Sequence, residues 1–271
     1  MKKTTLFIFS ALVVLASCNE RHEKKNKENN GWVDKVINKE SGPVQQREFN
    51  GDFDEIQVSQ AIDAEIIKSD TEKIVISAPQ NIIDEILVEN EGGKVHIHYK
   101  KGIRVMNINK VTAKIYTRDF TKLTAESAAS IKVKDKFTQE KTDIEASSAG
   151  SISGNLEAND FNINTGSSSN FSGKIWAVNL NIESSSGSSI DISGKTKNAD
   201  ISSSSGSSIS AKGVVADHVD AEASSGASIQ ISAVSSVKAE ASSGGSVDVA
   251  RKGDLKNITK NESSGGSVSI E

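Results

Sequence analysis

From about Arg47 onward, apolar and polar residues alternate in short bursts: Ile56-x-Val58, Ile62-x-Ala64-x-Ile66, Ile74-x-Ile76, Val95-x-Ile97 and Val111-x-Ala113-x-Ile115. Turn-forming residues such as Ser69-Asp70 and Glu91-Gly92-Gly93 separate them. A period of two sends alternate side chains to one face, so each burst predicts a strand with one buried side. Past the first residues no 3.6-residue period is sustained, and Gln80 to Val88 is a weak candidate for a single helical stretch.

The second half repeats. With the central apolar residue of each copy as anchor, the copies fall at Ile131, Ile152, Phe171, Ile190, Ile209, Ile229, Val247 and Val268, spaced by 21, 19, 19, 19, 20, 18 and 21 residues. Eight residues before the anchors run Leu123, Ile144, Ile163, Ile182, Ile201, Ala221, Ala239 and Lys260; ten before, a second set leads from Thr121 to Ile258; two after, a third leads from Val133 to Ile270. A repeat of this length is one supersecondary unit that buries its apolar face only by stacking on the next copy. The expected fold class is therefore all-β: a right-handed parallel β-helix, or solenoid, with about 20 residues per coil. Each coil would rise about 4.8 Å, the spacing of paired strands, and the hand follows from the crossover rule.

The bend before each anchor is more uniform still. Four residues ahead, every copy has Ser: Ser127, Ser148, Ser167, Ser186, Ser205, Ser225, Ser243 and Ser264. Small residues follow, among them Gly187, Gly206, Gly226, Gly244 and Gly265. Glycine suits a corner where φ turns positive, and a hydroxyl both donates and accepts. The eight serines are expected to form a structural ladder, their hydroxyls bonding to one another or to corner backbone.

Composition narrows the core. Aromatic residues are only 4 % of the 271, so the interior must be filled by small aliphatic side chains in a thin column. The first residues carry a targeting signal: Lys2 and Lys3, an apolar run from Leu6 to Ala16 too short to span a bilayer, then Leu15-Ala16-Ser17-Cys18. That ending resembles a bacterial lipobox, which makes Cys18, the chain's one cysteine, the expected lipidation site and anchor to a membrane. Without residues 1 to 17 the chain keeps 30 basic against 36 acidic residues, a formal charge of −6, which argues against nucleic acid as a partner. Residues 18–46 open with a mixed-charge stretch and read as a tether. Trp32, Val33, Val36 and Ile37 within it suit one helical turn or a patch that docks on the solenoid end. The solenoid spans 47–271, with looser coils over 47–122, where strands near Ile56, Val75, Val95 and Ile115 recur, and Ser/Gly-rich repeats over 123–271.

Three stretches resemble the head GIN domain family of auto-transporter adhesins: Phe49-Asn50-Gly51-Asp52-Phe53-Asp54-Glu55-Ile56-Gln57-Val58, Lys94-Val95-His96-Ile97-His98-Tyr99, and Leu123-Thr124-Ala125-Glu126-Ser127 with the coils that follow. The resemblance covers about residues 47 to 271. It implies a right-handed β-helix on an exported, often lipid-anchored protein, and it brings no catalytic residues.

Candidate chemistry is sparse. His96 and His98, two apart, share a strand face as two metal ligands would, but no third ligand and no acid at ligand spacing accompanies them, so they read as a solvated face and no metal is assigned. Glu126, Glu145, Glu183, Glu222 and Glu240 recur ahead of the anchors. Glu222 is expected to stack on Glu240, where adjacent carboxylates would raise a pKa or attract a cation. Paired acids also suit glycoside hydrolysis, but near-constant coil length leaves no loops to build a cleft. The expectation is a non-catalytic envelope lipoprotein of the outer membrane, without a cofactor, that presents a rigid rod to a glycan, matrix or protein ligand. Self-association through the solenoid end is the structural alternative, and a polysaccharide-active enzyme ranks below both.

Overall fold

The computed structural model describes residues 35–37, 41–105 and 111–271. Cys18, the targeting segment, Trp32 and Val33 lie outside them. The described chain is 69 % strand, wound into a β-solenoid of about 8 turns with about 19 residues per turn.

Its first part is more elaborate than a run of loose coils. The strands are β1 (Lys35–Ile37), β2 (Val44–Asn50), β3 (Glu55–Ser59), β4 (Asp63–Lys68), β5 (Lys73–Pro79), β6 (Ile86–Glu91), β7 (Lys94–Tyr99), β8 (Ile103–Val105) and β9 (Thr112–Thr117). Two coils stack in parallel, β3 on β7 and β4 on β9. The expectation that the strand at Val75 forms a further coil is corrected. β5 runs antiparallel to both β9 and β2, and β6 runs antiparallel to β7, so hairpin strands extend this end of the solenoid sideways. The Gln80 to Val88 stretch holds one 3-10 turn, Ile83–Glu85, before β6 begins. Nor does the Val36–Ile37 patch form a helical turn: β1 pairs in parallel with β8, and Ile37 is buried.

From β10 (Lys122–Glu126) and β11 (Ser130–Val133) the winding becomes regular. These strands stack on β3 and β4, so the first coil is sandwiched between the second and third, and spatial order departs from chain order there. Then come β12 (Phe137–Ala146), β13 (Ser151–Thr165), β14 (Asn170–Ser184), β15 (Ser189–Ser203), β16 (Ser208–Ala223), β17 (Ser228–Ala241), β18 (Ser246–Arg251), β19 (Asn257–Glu262) and β20 (Ser267–Ile270). Ile152, Phe171, Ile190, Ile209, Ile229, Val247 and Val268 stand in one register and are all buried. The expected spine is the core.

Alternation slips twice within each long strand. In β13, Ser153-Gly154-Asn155 and Asn159-Asp160 all lie at least partly exposed while Ile152, Leu156, Ala158 and Phe161 are buried. Two or three outward residues in succession bend the chain, so each of these coils has three walls. The middle wall, carried inward by Leu156, Ile175 and Val214, has no constant offset in sequence, because changes of one or two residues in coil length are absorbed there as register shifts.

The corner serines are placed as expected, but they work differently. All eight have φ between 48° and 54°, and the residue after each is also left-handed, from Ser168 at 61° to Gly265 at 78°. These are double left-handed turns. The hydroxyl ladder expected of Ser127, Ser148, Ser167, Ser186, Ser205, Ser225, Ser243 and Ser264 is corrected: their side chains are exposed, and the carbonyls from Ser127 to Ser243 form the ladder. Gly187 N–H donates to Ser205 O at 3.1 Å, Gly206 N–H to Ser225 O at 3.1 Å, and Gly226 N–H to Ser243 O at 3.1 Å. Buried hydroxyls lie two residues further along, in the central coils. Ser169, Ser188 and Ser207 donate to the carbonyls of Ala146, Thr165 and Ser184 in the coil below, at 2.6, 3.0 and 2.8 Å.

Candidate functional site

One wall of the solenoid is a flat sheet whose outward positions are almost all polar. Strand register aligns three columns on it: Asp160, Asn179, Asn198, His218 and Ser236; Asp143, Asn162, Asn181, Asp200, Asp220 and Lys238; and Glu145, Asn164, Glu183, Ser202, Glu222 and Glu240. Parallel, in-register stacking sets like positions one strand apart, so side chains of successive coils bond directly. Asn198 Nδ2 donates to Asn179 Oδ1 at 2.8 Å, and Asn179 Nδ2 to Asp160 Oδ1 at 2.8 Å. Asn162 Nδ2 reaches Asp143 Oδ1 at 2.7 Å, and His218 Nδ1 lies 2.8 Å from Ser236 Oγ. Burial pushes the Asp143 carboxyl up, but hydrogen bonds from Asn162 and Lys141 outweigh it and hold that group below the usual range. The wall carries a shallow open groove of about 770 Å³ over these columns.

The stacked acids are present, with a different consequence. Glu222 and Glu240 are register partners, and Lys238 Nζ stands 3.9 Å from one and 3.1 Å from the other. The cation expected there is this lysine. Its hydrogen bond, helped by Asn261, holds Glu240 below its ordinary pKa, the opposite of what a general acid needs. Glu126 falls outside the column and pairs with Ser59.

On the middle wall Trp176 is 45 % exposed, in register with Glu157 on one side and Lys195 on the other. It borders two open depressions, of about 720 and 570 Å³. Gly194 has φ 135°, and a Cβ there would fall 1.8 Å from Ile175 O. Backbone thus approaches backbone beside the indole where a side chain would otherwise stand. Sequence reasoning passed over Trp176, because an exposed aromatic is indistinguishable from a core aromatic until the wall's register is known.

The histidine pair also changes meaning. His96 and His98 stack at 4.1 Å between ring centres on β7, and Glu89 of β6 stands opposite His96. One ligand atom from each of Glu89, His96 and His98 lies within 4.8 Å of the other two. The expectation that no third ligand or acid joins the histidines is therefore corrected. The signal was present: Gly92 and Gly93, both at positive φ, make a two-residue hairpin turn, and counting back from it sets Glu89 against His96. Burial first, then the neighbouring His98, pushes the His96 pKa down.

Comparisons with known proteins follow the fold. A family model described as "Putative auto-transporter adhesin, head GIN domain" matches residues 52–253. No curated protein matches the chain. Among solved structures, an adhesin described as putative from Parabacteroides merdae shares 18 % identity at a TM-score of 0.75, over 84 % of this chain and 98 % of that one. Another so described, from Parabacteroides distasonis, shares 19 % at 0.77, over 88 % and 100 %. A protein described as a putative lipid binding protein, from the same species, shares 23 % at 0.76, over 88 % and 100 %. At these identities the likeness establishes the fold.

Proposed function

The chain belongs to the head GIN domain family of auto-transporter adhesins, and from that premise we propose that it is an envelope lipoprotein, held by a lipid on Cys18, that binds an extended polar ligand along its flat wall. The observation that carries this reading is the ladder of Asn, Asp, His and Lys side chains repeated strand after strand beneath an open groove. Amides that both donate and accept, fixed by their neighbours, present hydrogen-bonding groups at a regular spacing with little ordering left to occur on binding. A glycan or another repetitive polar polymer matches such a surface, and Trp176 on the next wall offers an aromatic platform for the apolar face of a sugar ring. The bridging of Glu222 and Glu240 by Lys238 supports binding rather than turnover.

Glycan and matrix arrays probed with the full chain test the reading. At least one specific ligand is expected, with Asn179→Ala/Asn198→Ala or Trp176→Ala lowering its affinity about tenfold or more, as loss of a central contact does. Uniformly blank arrays, or binding indifferent to both variants, would reject the groove. Export and acylation are tested separately: palmitate labelling should disappear in Cys18→Ser.

A second reading rests on the last coil. The outer edges of β19 and β20 have no strand partner among the described residues, and Ile258 is 42 % exposed there. Such edges recruit other strands, which favours self-association end to end.

A further inference from the structure

We propose that Glu89, His96 and His98 form a binding site for a divalent transition-metal ion of the zinc type, at the hairpin end of the polar wall. The three side chains face one another across paired strands, and each imidazole has an outer hydrogen-bond partner. His98 Nδ1 is 2.8 Å from the carbonyl oxygen of Tyr99, which only accepts, so Nδ1 is protonated. Nε2 then faces Glu89 Oε2, 3.2 Å away, a contact completed either by a second ring proton or by a metal ion held between the two atoms.

Hydrogen bonding orients the other ring as well. Ser59 Oγ donates its one proton to Glu126 Oε1 at 3.0 Å, so in its 2.8 Å contact with His96 Nε2 it accepts. His96 is therefore protonated on Nε2, and Nδ1 carries its free lone pair. Both imidazoles are held in single tautomers by outer partners, a backbone carbonyl for one and a serine backed by a carboxylate for the other. That is how metal-ligating histidines are oriented. Gln57 Nε2 anchors the far carboxylate as well, at 2.7 Å from Glu126 Oε1.

The distances suit an ion. Ligands about 2.0–2.2 Å from tetrahedral zinc stand roughly 3.3–3.5 Å apart, close to the observed Glu89–His98 separation. All three ligand atoms lie within 4.8 Å of one another on paired strands. Two imidazoles and a carboxylate are borderline donors that favour zinc over calcium or magnesium. Three protein ligands leave one position for water or an incoming ligand group. Glu89 is exposed and the rings are partly so, which leaves the site open to solvent.

Zinc titration of the full-length chain in detergent, followed calorimetrically at neutral pH, tests this, with cobalt(II) absorption reporting the ligand geometry. One ion per chain is expected. Glu89→Gln and His98→Gln should each weaken binding at least tenfold, and Ser59→Ala, a positioning change, about 10- to 100-fold. His22→Ala, in the tether, should change nothing. Glu89→Gln keeps the side chain's size, so an unchanged apo melting temperature shows that its effect is not misfolding. Failure to bind zinc more tightly than about 100 μM, or affinity unmoved in Glu89→Gln and His98→Gln, would overturn the proposal and leave His98 and Glu89 as an ion pair held by a proton.

Discussion

The chain's serines play three roles that composition cannot separate. Those at the first corner position accept the left-handed region, a conformation that costs a non-glycine residue about 1–2 kcal/mol, with exposed hydroxyls and carbonyls that bond along the stack. Those on the flat wall face solvent. Ser188 is of the third kind: buried, its one hydroxyl proton facing the carbonyls of Thr165 at 3.0 Å and Ser185 at 2.7 Å, with Ser184 Oγ 2.9 Å away. Truncating it alone leaves the Ser184 and Thr165 hydroxyls short of a partner. Ser188→Ala is expected to cost about 1–3 kcal/mol in denaturant unfolding. Ser184→Ala/Ser188→Ala should recover part of that loss, because other coils place Ala at the equivalent positions: Ala125 with Ala129, and Ala223 with Ala227. A double variant worse than the sum of the singles would show that the hydroxyl cluster has been misread.

At the scale of the strand, backbone approach decides what is tolerated. On the middle wall Gly194 has φ 135°, where any side chain is strained, and its missing Cβ lets Ile175 O come close. Gly194→Ala is expected to destabilise by at least about 1–3 kcal/mol from strain alone, with the steric clash added, as a shift in urea midpoint. At Gly206 a Cβ would meet nothing within 4 Å, so Gly206→Ala carries the strain of its φ of 70° without the clash and should be milder. Equal losses at the two sites would mean that close approach contributes nothing. The β6–β7 hairpin is the element that creates the proposed metal site, since its two-glycine turn sets Glu89 across from His96.

Across the whole molecule, each regular coil touches mainly its neighbours, so stability is close to a sum of coil and interface contributions. The two ends are unlike. Antiparallel strands β2, β5 and β6 extend the first, whereas β19 is exposed along its whole length at the other. Hydrogen exchange should find β19 and β20 amides the fastest among the regular coils and those of β14 to β16 the slowest. Raising the protein concentration tests self-association at this end: new protection confined to β19 and β20 indicates edge pairing, and unchanged exchange excludes it.

The period of about twenty residues, the buried spine through Ile152, Ile190 and Ile229, and the corner before each anchor were all determined by sequence, because stacking similar coils turns a linear repeat directly into columns. The sequence also located the tight bends, since small residues cluster where φ is positive. Tertiary structure alone decided the rest. It set the first coil between the second and third, turned the Val75 strand antiparallel, moved the hydroxyl ladder off the first corner serines, and put Lys238 between Glu222 and Glu240. Each of these depends on which strand lies beside which, and pairing between segments far apart in the chain leaves no periodic trace in either one.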